Sequence, residues 1–229
     1  MSSIAANLQA VKERIESAVH AAGRPAGSVR LVAVSKTFPP EAVQDAAQAG
    51  QCDFGENYAQ EGVGKIDDLR ALGLTWHYIG PIQSNKTRVI AEHFDWVHSI
   101  DRAKIAARLS EARDPGLPEM QVCIQVNVSG EASKSGVMPE EVAALARQVA
   151  GFSRMKLRGL MAVPEPTPDE ALQRRRFAQL RELRDRLNGK GFAMDTLSMG
   201  MSADLEAAIA EGATIVRVGT AIFGERTAT

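Results

Sequence analysis

Cysteine is scarce. The 229 residues include two, Cys52 and Cys123, far apart and at no metal-binding or redox spacing. Each lies in or beside an apolar, strand-like run, so both are expected as buried free thiols of a reducing compartment, not as a disulfide scaffold. The four histidines, His20, His77, His93 and His98, are too scattered for a metal-ligand pattern. A basic excess is also missing. The formal net charge of -1 argues against a general nucleic-acid surface. No apolar run reaches membrane length, and the N-terminus has no basic start followed by an apolar core. A cytoplasmic protein is expected, with no metal, membrane or nucleic acid as partner. With 45% hydrophobic and 24% charged residues, the chain can build a sizeable core.

What is present is an alternation. Ile4, Leu8, Val11, Ile15 and Val19 recur at steps of four and three, one apolar stripe with Lys12, Glu13, Arg14 and Glu16 facing outward. Residues 1–22 therefore read as a helix covering one side or end of the fold, stopped by Gly23-Arg24-Pro25-Ala26-Gly27. Beyond it come eight short apolar segments: Leu31-Val34, Cys52-Gly55, Thr75-Ile79, Trp96-Ser99, Val122-Val128, Leu157-Val163, Thr196-Ser198 and Thr214-Val218. Between them lie helical stretches: Pro40-Gln48, Tyr58-Ala71, Asn85-Glu92, Arg102-Arg113, Pro139-Val149, Asp169-Asn188 and Ser202-Ala210. Pro40 suits a first helical turn, Asp101 a cap, and Gly50 and Gly212 follow helix ends. Strand–helix alternation implies parallel strands, because the crossover needs a dozen or more residues. Eight units with no charge-rich edge strand favour an α/β fold of the (β/α)8 TIM-barrel type over residues 29–226, rather than an open doubly wound sheet. Residues 1–229 read as one domain.

In such a barrel the site forms at the C-terminal strand ends. Lys36 closes the first strand, where it either snorkels to water or meets a carbonyl or a phosphate. Gly55-Glu56-Asn57 closes the second. The third gives His77 and the run Gly80-Pro81-Ile82-Gln83-Ser84-Asn85-Lys86. The fifth gives Asn127 to Glu131 and then Lys134-Ser135-Gly136. Two turns suit a phosphate, through glycine and free N–H groups: Ser198-Met199-Gly200-Met201-Ser202, read as running from a strand into a helix start, and Val218-Gly219-Thr220-Ala221. Arg217 interrupts a buried run and needs acceptors, either a core carboxylate or a ligand heteroatom. His77 is either a hydrogen-bonded core residue or a ligand contact. An amine, a phosphate cradle and room for a ring suggest a Schiff base to a phosphorylated aldehyde, and pyridoxal phosphate meets all three conditions.

Val32-Ala33-Val34-Ser35-Lys36, Phe54-Gly55-Glu56-Asn57-Tyr58, His77 to Lys86, Leu197 to Asp204 and Val216 to Gly224 resemble the pyridoxal phosphate homeostasis protein family. The resemblance runs from the first helix to Arg226. The family is similar to the barrel domain of alanine-racemase-like enzymes. The resemblance implies pyridoxal 5'-phosphate on Lys36 as an internal aldimine, with Ser198, Gly200, Gly219 and Thr220 around the phosphate. It implies Arg217 at the pyridine nitrogen, Asn57 and His77 along the ring, and backbone contacts from Met199. It also implies a role in vitamin B6 homeostasis by buffering the cofactor or delivering it to apo-enzymes. A racemase is the alternative. Its two-base proton exchange needs a second base, and the sequence has only two tyrosines, Tyr58 and Tyr78, and stops nine residues after Thr220. A carrier without turnover, and a monomer, is the expectation.

Overall fold

Each apolar segment forms a strand, and the strands close on themselves. In the computed structural model, which describes residues 3–131 and 135–225, the strands are β1 (Arg30–Val34), β2 (Asp53–Glu56), β3 (Thr75–Tyr78), β4 (Trp96–Ile100), β5 (Met120–Gln125), β6 (Met155–Met161), β7 (Thr196–Ser198) and β8 (Ile215–Val218). They follow one another in chain order around a closed barrel, with β1 paired in parallel to both β2 and β8. Lys134 and Arg226 lie outside the described residues.

The helices are α1 (Ile4–Ala21), α2 (Pro40–Gln48), α3 (Ala59–Asp68), α4 (Thr87–His93), α5 (Ala103–Ala112), α6 (Val142–Ala150), α7 (Glu170–Asn188), α8 (Leu205–Ala210) and α9 (Thr220–Phe223). Ser3 caps α1 by accepting from the Ala6 amide at 3.2 Å. The stripe Leu8, Val11, Ile15 and Val19 is buried in cis, where α1 packs against α2, α8 and α9. The core has two parts. The larger lies between barrel and helices, from Ala33, Phe54 and Leu160 outward to Phe177 and Leu180. The smaller, of Val32, Trp96, Cys123, Met161 and Ile215, fills the barrel interior.

Several expected boundaries shift. β5 ends at Gln125, because Val126 pairs with Val137 after a loop excursion rather than continuing to Val128. α6 begins at Val142, not Pro139, and α8 at Leu205, not Ser202. The Asp204 carboxylate takes the Met201 amide at 2.6 Å, so a turn precedes α8. Arg102 holds the cap position of α5, and the Asp101 carboxylate binds the Arg102 guanidinium instead. Both cysteines are free, but Cys52 is exposed, since it lies ahead of β2 rather than in it.

Candidate functional site

The strand β1 ends at Val34, and Ser35, Lys36 and Thr37 turn the chain toward α2. Lys36 is half-buried in that turn. Thr37 has φ 68°, the sole left-handed non-glycine backbone among the described residues. A β-branched residue is strained there, and its surroundings must hold it. They do so with charge. The Thr37 amide donates to Glu61 Oε1 at 2.5 Å. Lys65 Nζ donates to Glu61 Oε1 at 2.6 Å, to Glu56 Oε1 at 2.8 Å and to the Ser35 carbonyl at 2.7 Å. The Ser35 hydroxyl donates to Glu56 Oε1 at 2.6 Å. Both neighbours of Lys36 are thus pinned by one buried network on β2 and α3. Burial pushes the Glu56 carboxyl up, against the pull of Lys65.

Asn57 follows β2. Its backbone lies under Gly80, where an added Cβ would come within 2.3 Å of the Asn57 carbonyl oxygen. Its Oδ1 is buried and finds no hydrogen-bond partner among the described residues. A buried amide oxygen without a donor is costly and marks a place for one.

The turn after β8 abuts the end of β1. A Cβ on Gly219 would lie 3.0 Å from the Val34 carbonyl oxygen. The turn's own hydrogen bonds begin with the Ile222 and Phe223 amides, both to Gly219 O, so the amides of Gly219, Thr220 and Ala221 precede them without a carbonyl in the turn. The Phe38 and Phe223 rings meet at 5.1 Å, tilted by 31°, and tie the Lys36 turn to α9.

The turn after β7 differs. Gly200 has φ 96°, and a Cβ there would meet Ala208 Cβ at 2.6 Å, so only glycine fits. The Met199 amide donates to the Ile215 carbonyl at 3.1 Å, and its side chain is fully buried. The Met201 amide is already taken by Asp204. The cleft beside this turn is lined by Asp204, Glu206 and Glu170. Those carboxylates oppose an anion there.

Arg217, on β8, is buried. Its Nη1 donates to Ser198 Oγ at 2.6 Å and its Nη2 to the Ala162 carbonyl at 2.9 Å, so neither acceptor is a carboxylate. Burial pushes the guanidinium down to about 10, with Asp204 opposing, and it stays charged at neutral pH. The Ser198 hydroxyl faces the barrel interior, where it also meets His98 Nδ1 at 2.7 Å. His77 is equally deep. Its ring nitrogens meet Asp53 Oδ1 and His98 Nε2, each at 2.9 Å.

The fold therefore gathers Lys36, Asn57, Gly219 and Thr220 around the ends of β1, β2 and β8, with Arg217 alongside on β8. Ser198 and His77 have their side chains in the interior. Sequence reasoning missed Lys65 and Glu61 in the first network and Asp53 and His98 in the second. Lys65 carried a signal: it continues the buried stripe Ala59, Gly62, Lys65 of α3. Among the described residues no group of metal-ligating side chains gathers.

Comparison with known proteins agrees with this fold. The family alanine racemase, N-terminal domain, matches residues 6–227. The chain is 62% identical over 226 residues to the pyridoxal phosphate homeostasis protein of Pseudomonas aeruginosa, covering 99% of this chain and 97% of that one. It is similar to the structure of PipY of Synechococcus elongatus with PLP bound, at 37% identity and TM-score 0.86, covering 97% and 100% of the two chains. An alanine racemase from Corynebacterium glutamicum shares the fold, at 17% identity and TM-score 0.67, over 94% of this chain and 60% of that one.

Proposed function

The chain belongs to the pyridoxal phosphate homeostasis protein family, and from its geometry we propose that it holds pyridoxal 5'-phosphate in the barrel mouth with Lys36 as the covalent anchor. In this reading it buffers the cofactor and delivers it to apo-enzymes, as part of vitamin B6 homeostasis. The observation that carries the reading is the Lys36 turn, pinned on both sides, with the Gly219 turn packed on the end of β1 that leads into it. When bound, the cofactor supplies an aldehyde carbon that forms a carbon–nitrogen double bond with the lysine amine, with loss of water.

The residues fit such a group. The amides after β8 and the Thr220 hydroxyl suit a phosphate, with the Gly200 amide on the β7 side; Ser198 is spent inside the sheet, its carbonyl accepting from the Ala162 amide. Asn57 Oδ1 needs a donor, and a ring hydroxyl provides one. Arg217 has five N–H groups, of which one goes to Ser198 and one to Ala162. The others would be available to donate to a ring nitrogen, and a cation there would keep that nitrogen unprotonated, which would weaken the ring as an electron sink. Lys65 does not compete with Lys36 as the anchor. An ammonium has three N–H donors, and Lys65 spends them on Ser35, Glu56 and Glu61.

Turnover lacks support. Racemisation needs a proton carrier on each face of the substrate carbon. The Tyr78 hydroxyl donates to the Pro81 carbonyl at 3.0 Å, and burial pushes the phenol up to about 12. The α1 stripe, buried in cis, supports a monomer. The test is to load the purified protein with pyridoxal phosphate and add an apo-enzyme in the presence of a trap for free cofactor. Delivery predicts reactivation faster than the trap permits from solution. Rapid racemisation of free amino acids by the protein alone would overturn the reading.

A further inference from the structure

Five side chains from five strands form one continuous hydrogen-bonded chain through the barrel. Asp53 Oδ1, at the N-terminal start of β2, lies 2.9 Å from His77 Nε2 on β3. His77 Nδ1 lies 2.9 Å from His98 Nε2 on β4. His98 Nδ1 lies 2.7 Å from Ser198 Oγ at the end of β7, which lies 2.6 Å from Arg217 Nη1 on β8. His77, His98 and Ser198 are fully buried, and Arg217 nearly so.

The two ends fix every proton between them. A guanidinium only donates, so Ser198 Oγ accepts from Arg217. A carboxylate only accepts, so His77 Nε2 carries a proton and donates to Asp53. Neutral His77 then has a lone pair on Nδ1, and His98 Nε2–H fills it. Neutral His98 is left with a lone pair on Nδ1, and the Ser198 hydroxyl fills that. The order runs one way, from Arg217 through Ser198, His98 and His77 to Asp53. An extra proton on either imidazole would set two donors against each other in a buried space. The charges that face the histidines are Asp53 from β2, Arg30 from β1, Asp95 ahead of β4 and Arg217 from β8. Burial lowers both histidines, so both are neutral at neutral pH.

This order has a consequence at the mouth. The single hydroxyl proton of Ser198 is spent on His98, so Ser198 meets Arg217 as an acceptor and has no O–H to give a phosphate. Its acceptor role, with the Ala162 carbonyl, sets the plane of the guanidinium. We propose that Asp53, His77 and His98 are positioning residues, which keep Ser198 an acceptor and so aim Arg217 at the bound ligand from an anchor at the opposite end of the barrel. The ligand half of this rests on the pyridoxal phosphate reading; the proton order does not.

The proton order is tested on the cofactor-free protein by long-range proton–nitrogen correlation NMR of the ring nitrogens. Both histidines are expected as neutral Nε2–H tautomers. An Nδ1–H tautomer or an imidazolium for His98 at neutral pH overturns the chain. The positioning role is tested with Asp53→Leu and Asp53→Asn, both at the barrel floor and away from the mouth, by absorbance titration with pyridoxal phosphate. Asp53→Leu removes the terminal acceptor and should release the His77 tautomer and weaken binding about fivefold, the size of one net hydrogen bond. Asp53→Asn keeps an acceptor and should restore both. Unchanged affinity and an unchanged absorption band in Asp53→Leu overturn the positioning role. If the wild-type protein takes up no pyridoxal phosphate while both tautomers are as expected, the cofactor reading fails and takes the positioning role with it, and the proton order stands.

Discussion

The two cations at the barrel mouth are held by opposite means. Lys36 is fixed through its backbone, by a charged network in which Lys65 joins Glu56, Glu61 and the Ser35 carbonyl. Arg217 is fixed through its side chain, by a chain that is neutral between its ends. In the proposed reading the difference suits the two roles. An anchoring amine needs a rigid turn beneath it, whereas a guanidinium that meets a ring nitrogen needs its own plane set. The two networks should also fail differently. Removing one charge from a buried ion network strands the others, while a neutral chain loses one hydrogen bond at a time.

The largest effect is expected from Lys65→Met. It leaves Glu56 and Glu61 unpaired and should cost about 3–5 kcal/mol of stability in urea unfolding. Adding Glu56→Gln to it should recover part of that loss; no recovery would show that the network is not what holds the turn. Gly219→Ala comes next. Its Cβ at 3.0 Å from the Val34 carbonyl presses β1 against the β8 turn. Overpacking of about 1–3 kcal/mol is expected, with weaker uptake of pyridoxal phosphate in equilibrium dialysis. Wild-type uptake would separate the two turns that the site requires together.

The networks should also respond to pH with opposite sign. Burial holds His98 well below the ordinary histidine value of 6.5. A base lowered in the folded state contributes stability that is present above about 6.5 and is lost as the pH falls toward its folded value. Glu56 is raised above 4.5. Its contribution is present below that value and is lost as the pH rises through its folded value. His98→Phe should therefore flatten the acid limb of a stability-against-pH curve, and Glu56→Gln the limb above 4.5. The same slope in all three proteins would contradict the assignment. The smallest effect concerns the thiols. Exposed Cys52 should react with a thiol reagent in the native protein without disturbing the site, while buried Cys123, pushed up to about 12, should stay unmodified until unfolding.

The barrel was readable because apolar runs and helical stripes alternate so regularly that few other folds could bury them. Lys36, Asn57 and Arg217 stood out for a related reason: each is polar where the local pattern calls for a strand or its end. The shifted boundaries were less readable. α8 starts late because the Asp204 side chain takes a backbone amide, an effect that propensity does not report. The chain from Asp53 to Arg217 was not readable at all. His77 stands opposite Trp96 in the β3–β4 pairing, and His98, two residues on, shares the inward face. That contact depends on register between strands, and spacing along the chain carries no trace of it.

Lys36, rather than its buried neighbour Lys65, is expected to anchor pyridoxal phosphate. Borohydride reduction of the loaded protein, followed by peptide mass mapping, tests it most directly. A reduced pyridoxyl group is expected on the Lys36 peptide, and none on either lysine in a Lys36→Ala variant that remains folded. A label on Lys65 in the wild-type protein, or a covalent adduct that persists in Lys36→Ala, would contradict it.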